Sequence, residues 1–167
     1  MNHSKREFLN GFPLFHWGKS GMAKEEVMNA IPHRDPFLFV DEILEMDEKQ
    51  IVCRKTFTGQ EAFFQGHYPD FPLVPGVLLC ESALQAGAVF LSKKMESDSQ
   101  SFAGKMPVVA KMSDIRFRQI VRPGDAILIQ VVMEDYYANA FQMAGTVTVN
   151  GKMSVKLKFT VMIVEKN

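Results

Sequence analysis

The sequence predicts an α+β fold: one long helix, apolar on nearly every face, and roughly five to seven mostly antiparallel strands. Three observations carry that expectation. Between Val77 and Leu91 the only strongly polar side chains are Glu81, Ser82 and Gln85, the composition of a helix buried on all sides. From Ala126 onward apolar and polar residues alternate with period two, the signature of half-buried strands. Asn150-Gly151 separates two such runs and is a strong two-residue hairpin signal. A helix buried all round needs a sheet that curls around it.

Taken in order, residues 1–21 read as an irregular arm, with Gly11, Pro13, Gly18 and Gly21 interrupting Phe12, Phe15 and Trp17. These aromatics are expected to pack on a neighbouring subunit. Ala23–Ala30 reads as a short helix, broken by Ile31-Pro32-His33-Arg34-Asp35-Pro36, because residues before proline avoid the helical region. Phe37–Met46 and Ile51–Phe57 are rich in β-formers and flank a turn at Asp47–Gln50. Thr58–Val74 is a loop long enough to expect a function. Pro75 suits the first position of the long helix, which should end near Lys94 or Met95. Glu96–Lys105 is a polar loop. In the next strand Ile115, Phe117, Gln119 and Val121 oppose Arg116, Arg118, Ile120 and Arg122, before a turn at Arg122-Pro123-Gly124-Asp125. Strands follow at Ala126–Tyr136 and Phe141–Asn150. The last one places Met153, Val155, Leu157, Phe159, Val161 and Ile163 on one side, with Lys152, Ser154, Lys156 and Lys158 on the other.

The chain has 167 residues, 47% of them apolar, and a formal net charge of zero from 19 basic and 19 acidic side chains. That balance points to neither nucleic acid nor a membrane surface. Cys53 and Cys80 lack metal-ligand spacing and read as reduced, buried thiols of a cytoplasmic protein. The apolar stretch Phe71–Leu91 contains Glu81, Gln85 and an early Pro72, Pro75 and Gly76, so it reads as a core helix rather than a membrane span. No histidine, cysteine or acid cluster has metal-ligand spacing.

Two residues stand out for chemistry. Glu81 is a carboxyl in an apolar run, costly to bury unless paired or protonated; such conditions suit an acid or base near neutral pH. His67 lies fourteen positions earlier, in the proline- and glycine-punctuated loop before the helix. Each also has a plain structural reading: His67 as a loop histidine, Glu81 as a carboxylate salt-bridged to Arg116 or Arg118. Gln85, one turn after Glu81, shares its face. Cys80 faces about 100° away around the helix. His33 reads as structural.

Four segments together resemble the 3-hydroxyacyl-(acyl carrier protein) dehydratases of dissociated fatty-acid synthesis. They are Ile31-Pro32-His33-Arg34-Asp35-Pro36-Phe37-Leu38-Phe39-Val40-Asp41, then Phe64-Gln65-Gly66-His67-Tyr68-Pro69, then Val74-Pro75-Gly76-Val77-Leu78 with Glu81 and Gln85, then Arg116-Phe117-Arg118 with Pro123-Gly124-Asp125. The likeness runs from residue 23 to the C-terminus as one domain, leaving 1–22 as an extension. Tyr68, Asp70, Val74 and Ser82 stand where the family usually has phenylalanine, glycine, methionine and alanine. A branch that also isomerises the double bond carries aspartate at the position of Glu81, so glutamate favours the plain dehydratase.

The resemblance implies a hotdog fold, a curved antiparallel sheet wrapped around one long central hydrophobic helix. It implies conversion of (3R)-3-hydroxyacyl to trans-2-enoyl chains on acyl carrier protein, with no metal or organic cofactor. It makes His67 and Glu81 the catalytic pair, meeting across a homodimer, and the family often builds trimers of dimers. The amides of Gly76 and Val77 are expected to bind the thioester carbonyl, helped by the helix dipole; the lack of a Cβ at Gly76 lets substrate approach, and Gln85 holds the carboxyl. Arg116, Arg118 and Arg122 are expected to dock the acidic carrier, against the plainer reading of a solvated face. Two other functions fit the same fold: an acyl thioesterase, and a non-catalytic protein that binds acyl chains or their carrier.

Overall fold

The computed structural model describes residues 8–9, 12–13, 24–96 and 104–165. Within the arm, β1 (Phe8–Leu9) pairs antiparallel with β2 (Phe12–Pro13), a small ladder where irregular chain was expected. Phe15, Trp17 and the side chain of Phe12 lie outside the described residues. The short helix α1 spans Lys24–Ala30 and buries Val27.

The main sheet has six antiparallel strands: β3 (Glu42–Met46), β4 (Gln50–Thr56), β5 (Lys105–Phe117), β6 (Ala126–Tyr137), β7 (Ala140–Val149) and β8 (Lys152–Glu165). Their spatial order is β3-β4-β6-β7-β8-β5. The long helix α2 (Gly76–Glu96) lies against the sheet, close to the predicted span. Close approach is possible because glycines stand at the contact. A Cβ on Gly145 would come within 3.0 Å of Ala83 and 2.9 Å of Leu157, and one on Gly87 within 2.9 Å of Phe159. The core joins Ala83, Ala86, Val89 and Phe90 of the helix to alternate strand residues such as Ile127, Ile129, Val147, Leu157 and Phe159. The hairpin at Asn150-Gly151 has φ of 50° and 72°, the left-handed pair that a type I′ turn requires.

Four further features depart from expectation. Phe37–Val40 is not a strand, and β3 starts only at Glu42. The carbonyl of Phe37 and the N–H of Phe39 are bonded to the Gln85 side chain instead of to a neighbouring strand. Ser154 is buried, not on the lysine face, because the β7–β8 register shifts beside it, and its hydroxyl donates to the Gln119 carbonyl at 2.5 Å. Strand β5 begins ten residues before Ile115, at Lys105, and ends at Phe117, so Arg118 to Arg122 belong to the connection that follows. Finally, α2 is not covered all round. The sheet buries most of it, but Val77 is exposed and Leu78, Glu81, Leu84 and Ala88 are only partly covered. These residues form one stripe, since positions three or four apart share a helix face.

Candidate active site

Glu81 lies on that open stripe and is held from two directions. The Gln85 amide, one turn on, donates to Glu81 Oε1 at 3.0 Å. Gln85 is itself fixed: it is 1% exposed, its oxygen accepts the Phe39 N–H at 2.8 Å, and its nitrogen also donates to the Phe37 carbonyl at 2.9 Å. An N–H can only donate, so the Phe39 contact fixes which end of the amide is oxygen and aims the NH2 at Glu81. From the other side His33 places Nε2 3.7 Å from the same oxygen. The other His33 nitrogen, Nδ1, is buried without a hydrogen-bond partner. Sequence reasoning left His33 as structural; the break before Pro36 turns the chain so that this ring reaches a helix 48 positions later. Arg116 and Arg118, the alternative partners for Glu81, are exposed at the end of β5 and just beyond it, and neither pairs with Glu81 among the described contacts.

His67 follows the short 3-10 helix Ala62–Gln65, and its own N–H donates to the Phe63 carbonyl at 2.9 Å. The ring nitrogen Nδ1 is 3.0 Å from the Leu73 carbonyl. A carbonyl only accepts, so Nδ1 carries a hydrogen, and in the neutral ring the lone pair is on Nε2. The Tyr68 ring meets the imidazole edge-on at 4.8 Å, from a backbone with φ of 54°. Positive φ is strained for a bulky residue, and this strain sits beside the candidate base. Among the described residues no hydrogen bond or ion pair joins His67 to Glu81 within one chain.

At the start of α2 the N–H groups of Leu78 and Leu79 turn back to the Pro75 carbonyl. Those of Gly76 and Val77 fall in the first turn, which has no intrahelical acceptors. The Phe117 ring occupies the space beside Gly76, where a Cβ would lie 2.7 Å from it. In this chain the missing Cβ therefore makes room for Phe117, a half-exposed ring that periodicity alone did not single out. Arg122 places its guanidinium 4.2 Å from the Phe71 ring centre, beside the His67 loop. Burial pushes the Cys80 thiol up from its ordinary pKa and does the same to Cys53, so neither is a nucleophile near neutral pH. Among the described residues no group of three or more potential ligands could hold a metal ion.

Residues 31–158 match the family model of the FabA-like domain. A 3-hydroxyacyl-[acyl-carrier-protein] dehydratase FabZ of Rickettsia akari is 39% identical over 143 residues, which cover 85% of this chain and 96% of that protein. The chain belongs to the FabZ-type dehydratase family. A second relative bearing that name, from Clostridium perfringens, is 40% identical over 129 residues, covering 77% of this chain and 89% of its own. Among solved structures, the dehydratase heterocomplex ApeI:P from Xenorhabdus doucetiae superposes with a TM-score of 0.69, at 15% identity, over 84% of this chain and 91% of that one. The PaaI protein of E. coli follows at 0.56, with 19% identity over 72% and 80%. A hypothetical thioesterase from Streptococcus pneumoniae, solved with coenzyme A, gives 0.54, with 17% identity over 74% and 88%. These likenesses show the hotdog fold, which dehydratases and thioesterases share. Membership of the family, not the fold, separates the dehydratase from the thioesterase.

Proposed function

We propose that this lyase dehydrates (3R)-3-hydroxyacyl chains on acyl carrier protein to trans-2-enoyl chains in fatty-acid synthesis, using His67 and Glu81. The observation that carries the reading is a pair of atoms with no hydrogen bond among the described residues, His67 Nε2 and Glu81 Oε2, while Nδ1 and Oε1 are engaged. His67 Nε2 takes the proton from C2 as that C–H bond breaks. The electrons form the C2=C3 bond, the C3–O bond breaks, and the departing oxygen takes the Glu81 proton to leave as water. Negative charge developing on the thioester oxygen is met by the amides of Gly76 and Val77. Afterwards the imidazolium loses its proton and the carboxylate regains one through solvent.

The two groups belong to different copies in this reading. Strand β5 is a 13-residue sheet edge with Met106, Val109, Met112, Ile115 and Phe117 exposed. A long apolar edge is a template for pairing. A second copy joined there forms a homodimer that covers the open stripe of α2. The catalytic domain spans residues 23–167, with 1–22 as an extension, and works in the cytoplasm; among the described residues no helix is long and apolar enough to cross a membrane.

Enoyl absorbance with a carrier-linked substrate tests the pair. His67→Ala and Glu81→Gln should each lower kcat by roughly 10³-fold, within the range for a lost general acid or base. Dimers formed at random from the two variants should regain about a quarter of normal activity, since half are mixed and each of those holds one complete site. Full activity in either single variant sinks the reading, and no recovery on mixing sinks the shared site.

Arg116 and Arg118 are exposed, and Arg116 pairs in register with Lys156 on β8, so positive charge gathers at this end of the sheet. We assign it to docking of the acidic carrier. Reversing both arginines to glutamate should raise KM for carrier-linked substrate and flatten its salt dependence, with little effect on a short pantetheine thioester. An unchanged KM places docking elsewhere.

A further inference from the structure

We infer that His33 is a positioning residue for Glu81, given that Glu81 is the proton donor: its Nε2–H, 3.7 Å from Oε1, attracts that oxygen electrostatically, so that Oε2 alone carries the reacting proton. The geometry leaves one sensible tautomer. If the hydrogen sat on Nδ1, a buried N–H would have no acceptor, and the bare Nε2 lone pair would face a carboxyl oxygen at 3.7 Å. With the hydrogen on Nε2, a donor faces Oε1, and the buried atom without a partner is only a lone pair. A buried donor left unmade is the costlier fault.

At 3.7 Å this is a longer electrostatic contact rather than a hydrogen bond. It reinforces the Gln85 amide, which donates to the same oxygen at 3.0 Å. Two donors aimed at Oε1 disfavour a proton there. When Glu81 is an acid its hydrogen is therefore on Oε2, and when it is a carboxylate Oε2 is the oxygen left to be reprotonated. The Phe37 ring, stacked near the imidazole at a centroid distance of 6.4 Å, steadies the His33 ring. Phe37 is also the residue whose carbonyl anchors Gln85, so both donors hang from one turn of chain.

Two substitutions separate the N–H from the packing. His33→Phe keeps a ring beside Phe37 but removes the donor. His33→Gln sets an amide N–H the same number of bonds from Cβ as the imidazole Nε2. With carrier-linked substrate, His33→Phe should lower kcat about tenfold while KM stays within about twofold, the pattern of an interaction that matters in the transition state. His33→Gln should recover most of that loss. A parental kcat in His33→Phe, a His33→Gln as slow as His33→Phe, or loss of fold in both variants overturns the inference. Glu81→Gln assayed alongside tells the two claims apart. If it is active, Glu81 is not the acid; if it is inactive while His33→Phe is unimpaired, only the role of His33 fails.

Discussion

Glu81 projects from a helix packed on the sheet and is held by a network that reaches 48 residues back along the chain, whereas His67 rides on a loop and is held by a carbonyl six residues away. The carboxyl cannot be placed until α2, Gln85 and the Phe37–Phe39 segment have come together. The imidazole is oriented by its own loop, through the Phe63 and Leu73 carbonyls. Long-range support gives precision at the cost of dependence on the whole fold. Local support leaves room for adjustment, and it places the strained Tyr68 next to the proposed base. In the proposed elimination this division is reasonable: the acid has to reach one oxygen at C3, and the base one proton at C2.

The sharpest way to break the contrast is at Gln85. Gln85→Leu keeps the volume close but strands the Phe39 N–H and the Phe37 carbonyl and releases Glu81 Oε1. Each orphaned group costs roughly 1–3 kcal/mol. For a chain of this size, each kcal/mol lowers the melting temperature by about 2–4 °C. The melting temperature should therefore drop by roughly 4 °C or more, and kcat should fall with it. A variant that melts with the parent would show that the Phe37–Phe39 segment is held by its apolar side chains and that Gln85 is incidental.

The same contrast explains what could be read from the residues alone. The limits of α2, the strands after Ala126 and the Asn150-Gly151 turn follow from periodicity and local turn chemistry, and they are found within a few residues of expectation. His67, Glu81 and Gln85 were visible as residue types in an unusual setting. Features that depend on distant pairing were not visible. Phe37–Val40 has strand composition, but a side chain 46 residues later takes its backbone bonds. Ser154 alternates with lysines, but a register shift turns it inward. Met106, Val109 and Met112 of β5 are exposed in a single chain, and periodicity does not say which molecule supplies the other side. His33 lies 3.7 Å from Glu81 beside a turn that the Phe37 N–H closes on the Arg34 carbonyl.

A smaller effect is expected on the histidine side, at Arg122. Its place in the sequence suggested a third docking charge, but the guanidinium stacks on Phe71 in the loop that carries His67. The Val74 N–H also donates to the Val121 carbonyl at 2.8 Å, so the two segments are already tied by their backbones. An exposed cation–π contact is worth about 0.5–1 kcal/mol. Arg122→Ala should thus lower the melting temperature by only about 1–4 °C. Activity should fall modestly and equally for carrier-linked and short pantetheine thioesters, since the stack steadies the loop and does not touch the carrier. Arg122→Lys should recover only part of the loss, because an ammonium lacks the flat face that lies on the ring. The salt dependence of KM decides the assignment. If Arg122→Ala flattens it as the reversal of Arg116 and Arg118 is expected to, Arg122 belongs to the proposed carrier surface. If the salt dependence is unchanged, the local support of His67 includes a cation as well as a carbonyl.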